Sequence, residues 1–422
     1  MPVGRKIPAD RFLHLPKDST QKVRKDGLVL KQDKLKRLLD YLEEKLRPER
    51  LDETNQLSRK ALDWEKVPRL PLVINYPFPD HPLFKPFPHG AIFNDLEKHL
   101  YNELVYAFDT SIVLNVDLEC DLPATIRPNY GIGLVPSILG GLVEQIDDNP
   151  PWVRPFPARS ELMKMFHSDT VGVTGKGWIP RVVETYQFCD ETLGPYRNLN
   201  ASVKRVLPDL QGPFDNYELL RGGEAFTDFY TDPVLLREGL SLTAEIQIMA
   251  ARALLPYTTD HRDGFSFQHG VAMKGNILIR NDSPIMVSPE MYREFIAPHD
   301  STVLTALGGG GIHSCGTIEH QIENYLNVKE LFCIDLGQGL MNDREKLFRL
   351  AKKKKAALVR MEAMEEELIS GRILEMFPTG VSLIHRCESF EKAREIQSAY
   401  QRAACGRQDD RGGDDLPLSG GS

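Results

Sequence analysis

The sequence predicts an α/β protein in which short parallel strands are covered by helices. Three observations carry this. From about residue 288 onward, short apolar runs alternate strictly with helical segments. Two of those runs close on the same Ile-His-x-Cys pattern, at 312–315 and 384–387. The chain is also long enough, at 422 residues, for either two to three domains or one enlarged barrel. Enough strand–helix units exist for an eight-fold barrel, and periodicity alone also admits a doubly wound sheet.

The elements follow in order. Residues 1–60 hold 16 Lys+Arg against 10 Asp+Glu, in a chain whose net charge is −8. They read as a basic arm lying on an acidic body. Within the arm, Leu35, Leu38, Leu39, Leu42 and Leu46 recur at helical spacing over 33–47. Residues 66–90 are crowded with Pro, Phe and His and read as extended coil wrapping the body. Residues 111–118, SIVLNVDL, read as a buried strand, which makes Asp117 a strand-end carboxylate. A long helix is expected over 232–255, then strand and loop over 264–280, with Gln268, His269 and Lys274 near the barrel mouth.

The next helix spans 288–307, and the Gly308 to Gly311 run suggests close backbone packing beside a site. IHSC (312–315) ends a strand, and IEHQIENYL (318–326) is a helix. LFCIDLGQ, REKLFRLAKKKK, AALVRM, EAMEEELISGR, VSLIHRC and SFEKAREIQSAYQRAA then alternate strand and helix, and Lys352 to Lys355 form a solvated helical face. From about Gly406 the Gly- and Asp-rich tail should be disordered.

Composition narrows the function. Hydrophobic residues make up 41% and charged residues 27%, as in globular proteins. No stretch approaches the roughly 18 consecutive apolar residues of a membrane span. The N-terminus has no apolar export segment, so a cytoplasmic location is expected. The acidic balance argues against nucleic acid as a partner. Six cysteines are too few for a disulfide scaffold and read as thiols. No G-x-G-x-x-G or P-loop string is present, so neither nucleotide fingerprint applies.

The repeated H-x-C is the strongest signal. Residues two apart in a strand share a face, so His313 should converge with Cys315, and His385 with Cys387. In a parallel fold both strand ends lie at the face where sites are built, here expected on neighbouring strands. Imidazole and thiolate are the ligands Zn²⁺ prefers, and three protein ligands leave one position open for chemistry.

The run NDSPIMVSPEMYREFIAPH, with GGGGIHSCG and LFCIDLGQ after it, resembles the uroporphyrinogen decarboxylase superfamily over roughly residues 200–405. Within it, the H-x-C followed later by a single Cys resembles the zinc-dependent methyltransferases that act between a corrinoid protein and a thiol, such as the methylcobalamin:coenzyme M enzymes. The resemblance implies a (β/α)₈ TIM barrel with an N-terminal extension: an arm at 1–65, a barrel at 66–405 and a tail at 406–422. It implies zinc ligands His313, Cys315 and Cys387, with Asp282 and Ser283 lining the substrate pocket. Asp215 and Asn216 of LPDLQGPFDN are further pocket candidates. Asp282 and His385 are the candidate catalytic groups and Asp117 a weaker substrate contact. His385 is an addition to the three-ligand pattern; as a fourth ligand it would close the site into a structural one.

The partners implied are a separate corrinoid protein, since the chain has no D-x-H-x-x-G string of its own, and a small-molecule methyl acceptor. Two alternatives stand beside this. One is a metal-free lyase of the decarboxylase type acting on a tetrapyrrole or related carboxylate, although its arginine-rich M-R-Q-A-G-R segment is absent. The other is a non-catalytic barrel holding a structural zinc.

Overall fold

The computed structural model describes residues 25–75, 83–107, 111–167, 172–261, 263–268 and 270–411. The chain is an α/β protein built on a six-stranded parallel sheet. Its strands are β1 (Leu72–Asn75), β2 (Thr125–Ile126), β3 (Leu142–Glu144), β4 (Trp152–Arg154), β5 (Lys204–Arg205), β6 (Phe265–Gln268), β7 (Val271–Lys274), β8 (Ile277–Arg280), β9 (Gly310–Ser314), β10 (Leu331–Leu336), β11 (Ala357–Glu362) and β12 (Val381–Arg386). The main sheet runs β1-β12-β11-β10-β9-β8. β2 and β5 form a separate parallel pair, and β3–β4 and β6–β7 are antiparallel hairpins. Consecutive strands β8 to β12 are parallel neighbours, so a helical segment must carry the chain back each time. Ala297–Leu307, Ile322–Tyr325, Arg344–Lys354 and Glu365–Ile369 do so. The third is capped by Asp343, whose carboxylate accepts the Lys346 N–H at 2.9 Å.

Several expectations are corrected. β1 lies inside the Pro-rich 66–90 segment that reads as coil. Its LVIN run is wholly buried between β12 and the core, and flanking prolines hid a strand of four residues. Residues 111–118 are not a strand: Ile112–Leu118 is a helix, with the Ser111 hydroxyl accepting the Leu114 N–H at 2.9 Å. A short, fully buried apolar run has no periodicity to separate the two. Asp117 is therefore on a helix, where its carboxylate accepts the Tyr41 hydroxyl at 2.6 Å. β9 and β12 are not neighbours, because β10 and β11 lie between them. The helix expected over 318–326 is only Ile322–Tyr325. The last helix, Phe390–Arg411, runs past Gly406, and 412–422 lie outside the described residues. No helix among the described residues is long and apolar enough to cross a membrane.

The glycine run packs backbone to backbone, as expected, but at the opposite end of β9 from His313. A Cβ on Gly310 would stand 1.9 Å from the Ile277 carbonyl oxygen, so only glycine lets β8 and β9 meet there. The β6–β7 hairpin closes this N-terminal end of the sheet, where the Cys333 thiol reaches the Lys274 carbonyl at 3.7 Å. His269, in the hairpin turn, lies outside the described residues.

The arm's helices, Lys25–Lys45 and Pro48–Leu62, share the core of the sheet: Leu38, Leu42 and Leu62 are buried with the strand residues. The Glu43 carboxylate accepts the backbone N–H groups of Asn198 and Leu199 at 2.8 and 2.9 Å, and the Gly380 N–H reaches the Ala61 carbonyl at 2.8 Å.

Behind the sheet, the helix leading to β9 contains a wide π turn at Tyr292–Ile296 before Ala297–Leu307. Pro298 lacks the N–H that would bond the carbonyl four residues back, and its ring needs room there; the wide turn supplies it. The turn brings the Tyr292 hydroxyl to the Asp300 carboxylate at 2.6 Å, beside the Asn281 amide, also at 2.6 Å. Burial pushes the Asp300 carboxyl from an ordinary 3.8 up to about 6.

Two predictions follow from this packing. Leu42 is fully buried, so Leu42→Ala should cost about 2–5 kcal/mol in denaturant unfolding. A change under 1 kcal/mol would mean the arm is not part of the cooperative core. Asp300 binds its proton more tightly folded than unfolded, so its contribution is present at low pH and lost as pH rises through about 6. Asp300→Asn mimics the protonated form. Relative to that variant, wild type should lose on the order of 3 kcal/mol between pH 4 and pH 7. A stability difference that does not vary with pH would refute this.

Candidate metal centre

The register of three strands builds the site. Arg280 on β8, His313 on β9 and Asp335 on β10 are in-register partners, so their side chains lie in one row on one face. Two residues beyond His313, Cys315 returns to the same face. Its Sγ lies 3.5 Å from His313 Nε2, the convergence expected from the spacing. Asp282, just past β8, completes the group. Its Oδ1 lies 3.4 Å from His313 Nε2 and accepts the Cys315 backbone N–H at 2.9 Å. One donor atom from each of Asp282, His313 and Cys315 lies within 4.8 Å of the others, so the group could hold a metal ion. His313 is buried, whereas the Asp282 side chain is 41% exposed and opens the group to solvent.

Each donor is held from behind. The His313 Nδ1–H donates to Asp335 Oδ2 at 2.9 Å. An ionised carboxylate can only accept, so Nδ1 carries the ring proton and Nε2 presents its lone pair to Cys315 and Asp282. Arg360 on β11 grips both oxygens of Asp335, Nε to Oδ1 at 2.6 Å and Nη2 to Oδ2 at 3.0 Å. Asp215 Oδ1 accepts the backbone N–H groups of Asp282 and Ser283 at 3.1 and 3.0 Å, which fixes the turn that carries Asp282. Burial, then the nearby Asp282, push the Asp215 carboxyl well above its usual range. Burial, then Asp282, also push the Cys315 thiol up to about 12, so a cation would displace its proton on binding. Asn342 ties the two loops that follow β9 and β10: its Oδ1 accepts the Ile318 N–H at 2.8 Å and its amide donates to the Gly316 carbonyl at 3.0 Å.

Gly337 packs closely on the group. A Cβ there would stand 2.7 Å from Cys315 Sγ and 3.3 Å from His313 Cε1. Any other residue would press on two of the three donors.

The other sequence candidates fall in different places. His385 Nδ1–H donates to the Ala363 carbonyl at 2.8 Å, beyond β11. The Cys387 thiol contacts the Ser389 and Asn75 carbonyls at 3.5 and 3.8 Å, beside β1, and burial pushes it up to about 11. Neither belongs to the Asp282–His313–Cys315 group. Asn216 is wholly buried and donates to the Leu210 carbonyl at 2.9 Å. Ser283 is half-buried at the head of the Ser283–Met286 turn. Asp117 stays with Tyr41.

Asp335, Arg360 and Gly337 are the site residues that sequence reasoning missed. A signal was present: LFCIDL and AALVRM each carry one charged residue inside an otherwise apolar buried strand, and such a residue needs a partner. Compared with protein-family models and with curated proteins, the chain matches none.

Proposed function

We propose that the chain is a zinc-dependent methyltransferase of the uroporphyrinogen decarboxylase superfamily, acting between a separate corrinoid protein and a thiol acceptor. The observation that supports this most is the open Asp282–His313–Cys315 group with Asp335 behind its imidazole. Its nitrogen, sulfur and oxygen donors suit Zn²⁺, and a histidine backed by a carboxylate is the usual outer arrangement of such sites. A zinc ion held there would supply Lewis acidity toward a substrate thiol, so that thiolate forms near neutral pH.

The chain's own residues do the rest. His313 is held with Nε2 as a lone-pair donor, and Cys315 donates as a thiolate once its proton is displaced. Asp282 is both a donor and the exposed edge at which an acceptor enters. Asp215 and Ser283 keep that edge in place. His385, whose bond to Ala363 leaves Nε2 as an acceptor, is the candidate proton-accepting group. The resemblance adds Cys387 as a ligand; for that thiol to join, its contacts to Ser389 and Asn75 must open.

The fold we propose is a complete (β/α)₈ barrel, with β2 and β5 filling the gap between β1 and β8. The Asp121 N–H bonds the Leu72 carbonyl at 3.1 Å at the β1 side. At the β8 side, Gly212 packs so closely on Asn281 and the Arg280 carbonyl that a Cβ would stand 2.3 and 2.7 Å away.

Metal analysis of the purified protein tests the reading. We expect one zinc ion per chain, lost in Cys315→Ala and His313→Ala while the fold survives by circular dichroism. Asp282→Ala should weaken zinc binding, and loss of zinc from Cys387→Ala would add that thiol to the ligand set. Stoichiometric zinc in Cys315→Ala would overturn the assignment. Turnover of a tetrapyrrole carboxylate that chelators do not affect would favour the lyase instead.

A further inference from the structure

The β11 strand is distorted near its end. Its register against β12 shifts between Leu358 and Met361, and Arg360 within that interval has a left-handed backbone, φ 55°. For a long, non-glycine side chain this conformation is strained. The consequence is directional. Val359 is the residue in register with Asp335, so in a regular pleat Arg360 would point to the other face. The bulge turns it back, and the guanidinium reaches both Asp335 oxygens from the β11 side. Arg360 is 3% exposed and Asp335 1%, so neither end of this pair touches bulk water.

The pair has a further member. Asp335 Oδ2 receives both Arg360 Nη2–H and His313 Nδ1–H, and Nη2 itself lies 3.3 Å from Nδ1. A carboxylate held at one oxygen can still rotate about its Cβ–Cγ bond. Held at both oxygens by a planar fork, it cannot. Its plane, and with it the position of Oδ2 relative to the imidazole, is set by β11.

We propose that Arg360 is a positioning residue for the metal centre. By clamping Asp335 it fixes the ring orientation and the Nδ1–H tautomer of His313, so metal affinity depends on a side chain that never meets the metal. The metal part of this rests on the function proposed above; the tautomer part does not. A buried Arg–Asp pair of purely structural use would set stability alone. A clamp sets which ring nitrogen carries the proton and how well the three donors converge.

The test uses the full chain and four variants: Arg360→Lys, Arg360→Gln, Asp335→Asn and the double variant Arg360→Gln with Asp335→Asn. Zn²⁺ affinity is read by chelator competition. Histidine tautomers are read from ¹⁵N shifts of the metal-free protein labelled at its 11 histidines, with His313→Gln assigning the signal. Wild type should show His313 in one form, protonated at Nδ1. Arg360→Lys keeps the charge but loses the fork, and should give mixed tautomers and roughly 10–100-fold weaker zinc binding. Arg360→Gln should do the same. The double variant should bind no more weakly than the worse single, because both changes break one linkage.

Zinc affinity and tautomer unchanged in Arg360→Lys and Arg360→Gln would overturn the proposal, as would additive losses in the double variant. If the variants do not fold, wild type still decides: His313 protonated at Nε2 refutes the clamp. A wild type that binds no zinc but shows the Nδ1–H form, lost in Arg360→Lys, would refute the proposed function and leave the clamp standing.

Discussion

The hydrogen bond from His313 to Asp335 is the contact on which the rest of the site depends. It lies inside a parallel sheet, where an unpaired charge costs several kcal/mol and water cannot substitute. Once Asp335 is placed on β10, its charge must be met from both sides, by β9 through the imidazole and by β11 through Arg360. That demand reaches the backbone. β9 and β10 must keep His313 and Asp335 in register, and β11 must leave its pleat to turn Arg360 inward. Arg280, the next residue in the row, meets a carboxylate of its own in Asp209. The inner face of this sheet is thus a set of mutually neutralised charges around one imidazole, whose Nε2 faces Cys315 and Asp282.

Much of this arrangement was legible from residue order. The alternation over 288–405 predicted the parallel strands, and the two-residue spacing of His313 and Cys315 predicted their convergence, because a pleat leaves no other option. The same logic could not say where the second H-x-C would fall. Spacing within a strand is local, whereas strand order is decided by which apolar faces pack together. Placing β12 between β11 and β1 leaves two strands between His385 and Cys387 and β9. The sequence makes Asp282 a pocket-lining and catalytic candidate rather than a metal donor, since nothing in a turn sequence says which way its carboxylate points. The first strand is hidden for a different reason. LVIN is too short to show a period, and its prolines, which only bound the strand, spoke for coil. SIVLNVDL lacks the same periodicity, and there the Ser111 cap decides for helix.

Rigidity is distributed unevenly around the group, and this bears on what it can do. His313 is locked from behind, and Cys315 is held through its backbone by Asp282 and by the Asn342 bridge between loops. Asp282 is held through its own backbone by a buried carboxyl on Asp215 and through Oδ1 by the Cys315 N–H, while its side chain stays 41% exposed. A site meant only to hold structure would surround its donors on all sides. Here two are fixed and one stands at the opening, which is the geometry needed where a ligand must enter and leave.

Cys387 can be considered in the same terms. Its backbone N–H and thiol both meet the Asn75 carbonyl, at the end of β1, so its position is a property of the β1–β12 pairing. That pairing is fastened from outside. The Tyr400 hydroxyl contacts both the N–H and the carbonyl of Leu70, at 3.1 and 2.9 Å, and the Leu383 N–H bonds the Pro71 carbonyl at 2.8 Å. Moving the whole strand toward β9 would break those bonds at once. Moving only the segment beyond Arg386 would break weak thiol contacts and one backbone bond. If Cys387 serves the metal, the motion is therefore a local one at the end of β12, with Ser389 and Asn75 as the contacts released, while the sheet that positions His313 and Cys315 stays as it is.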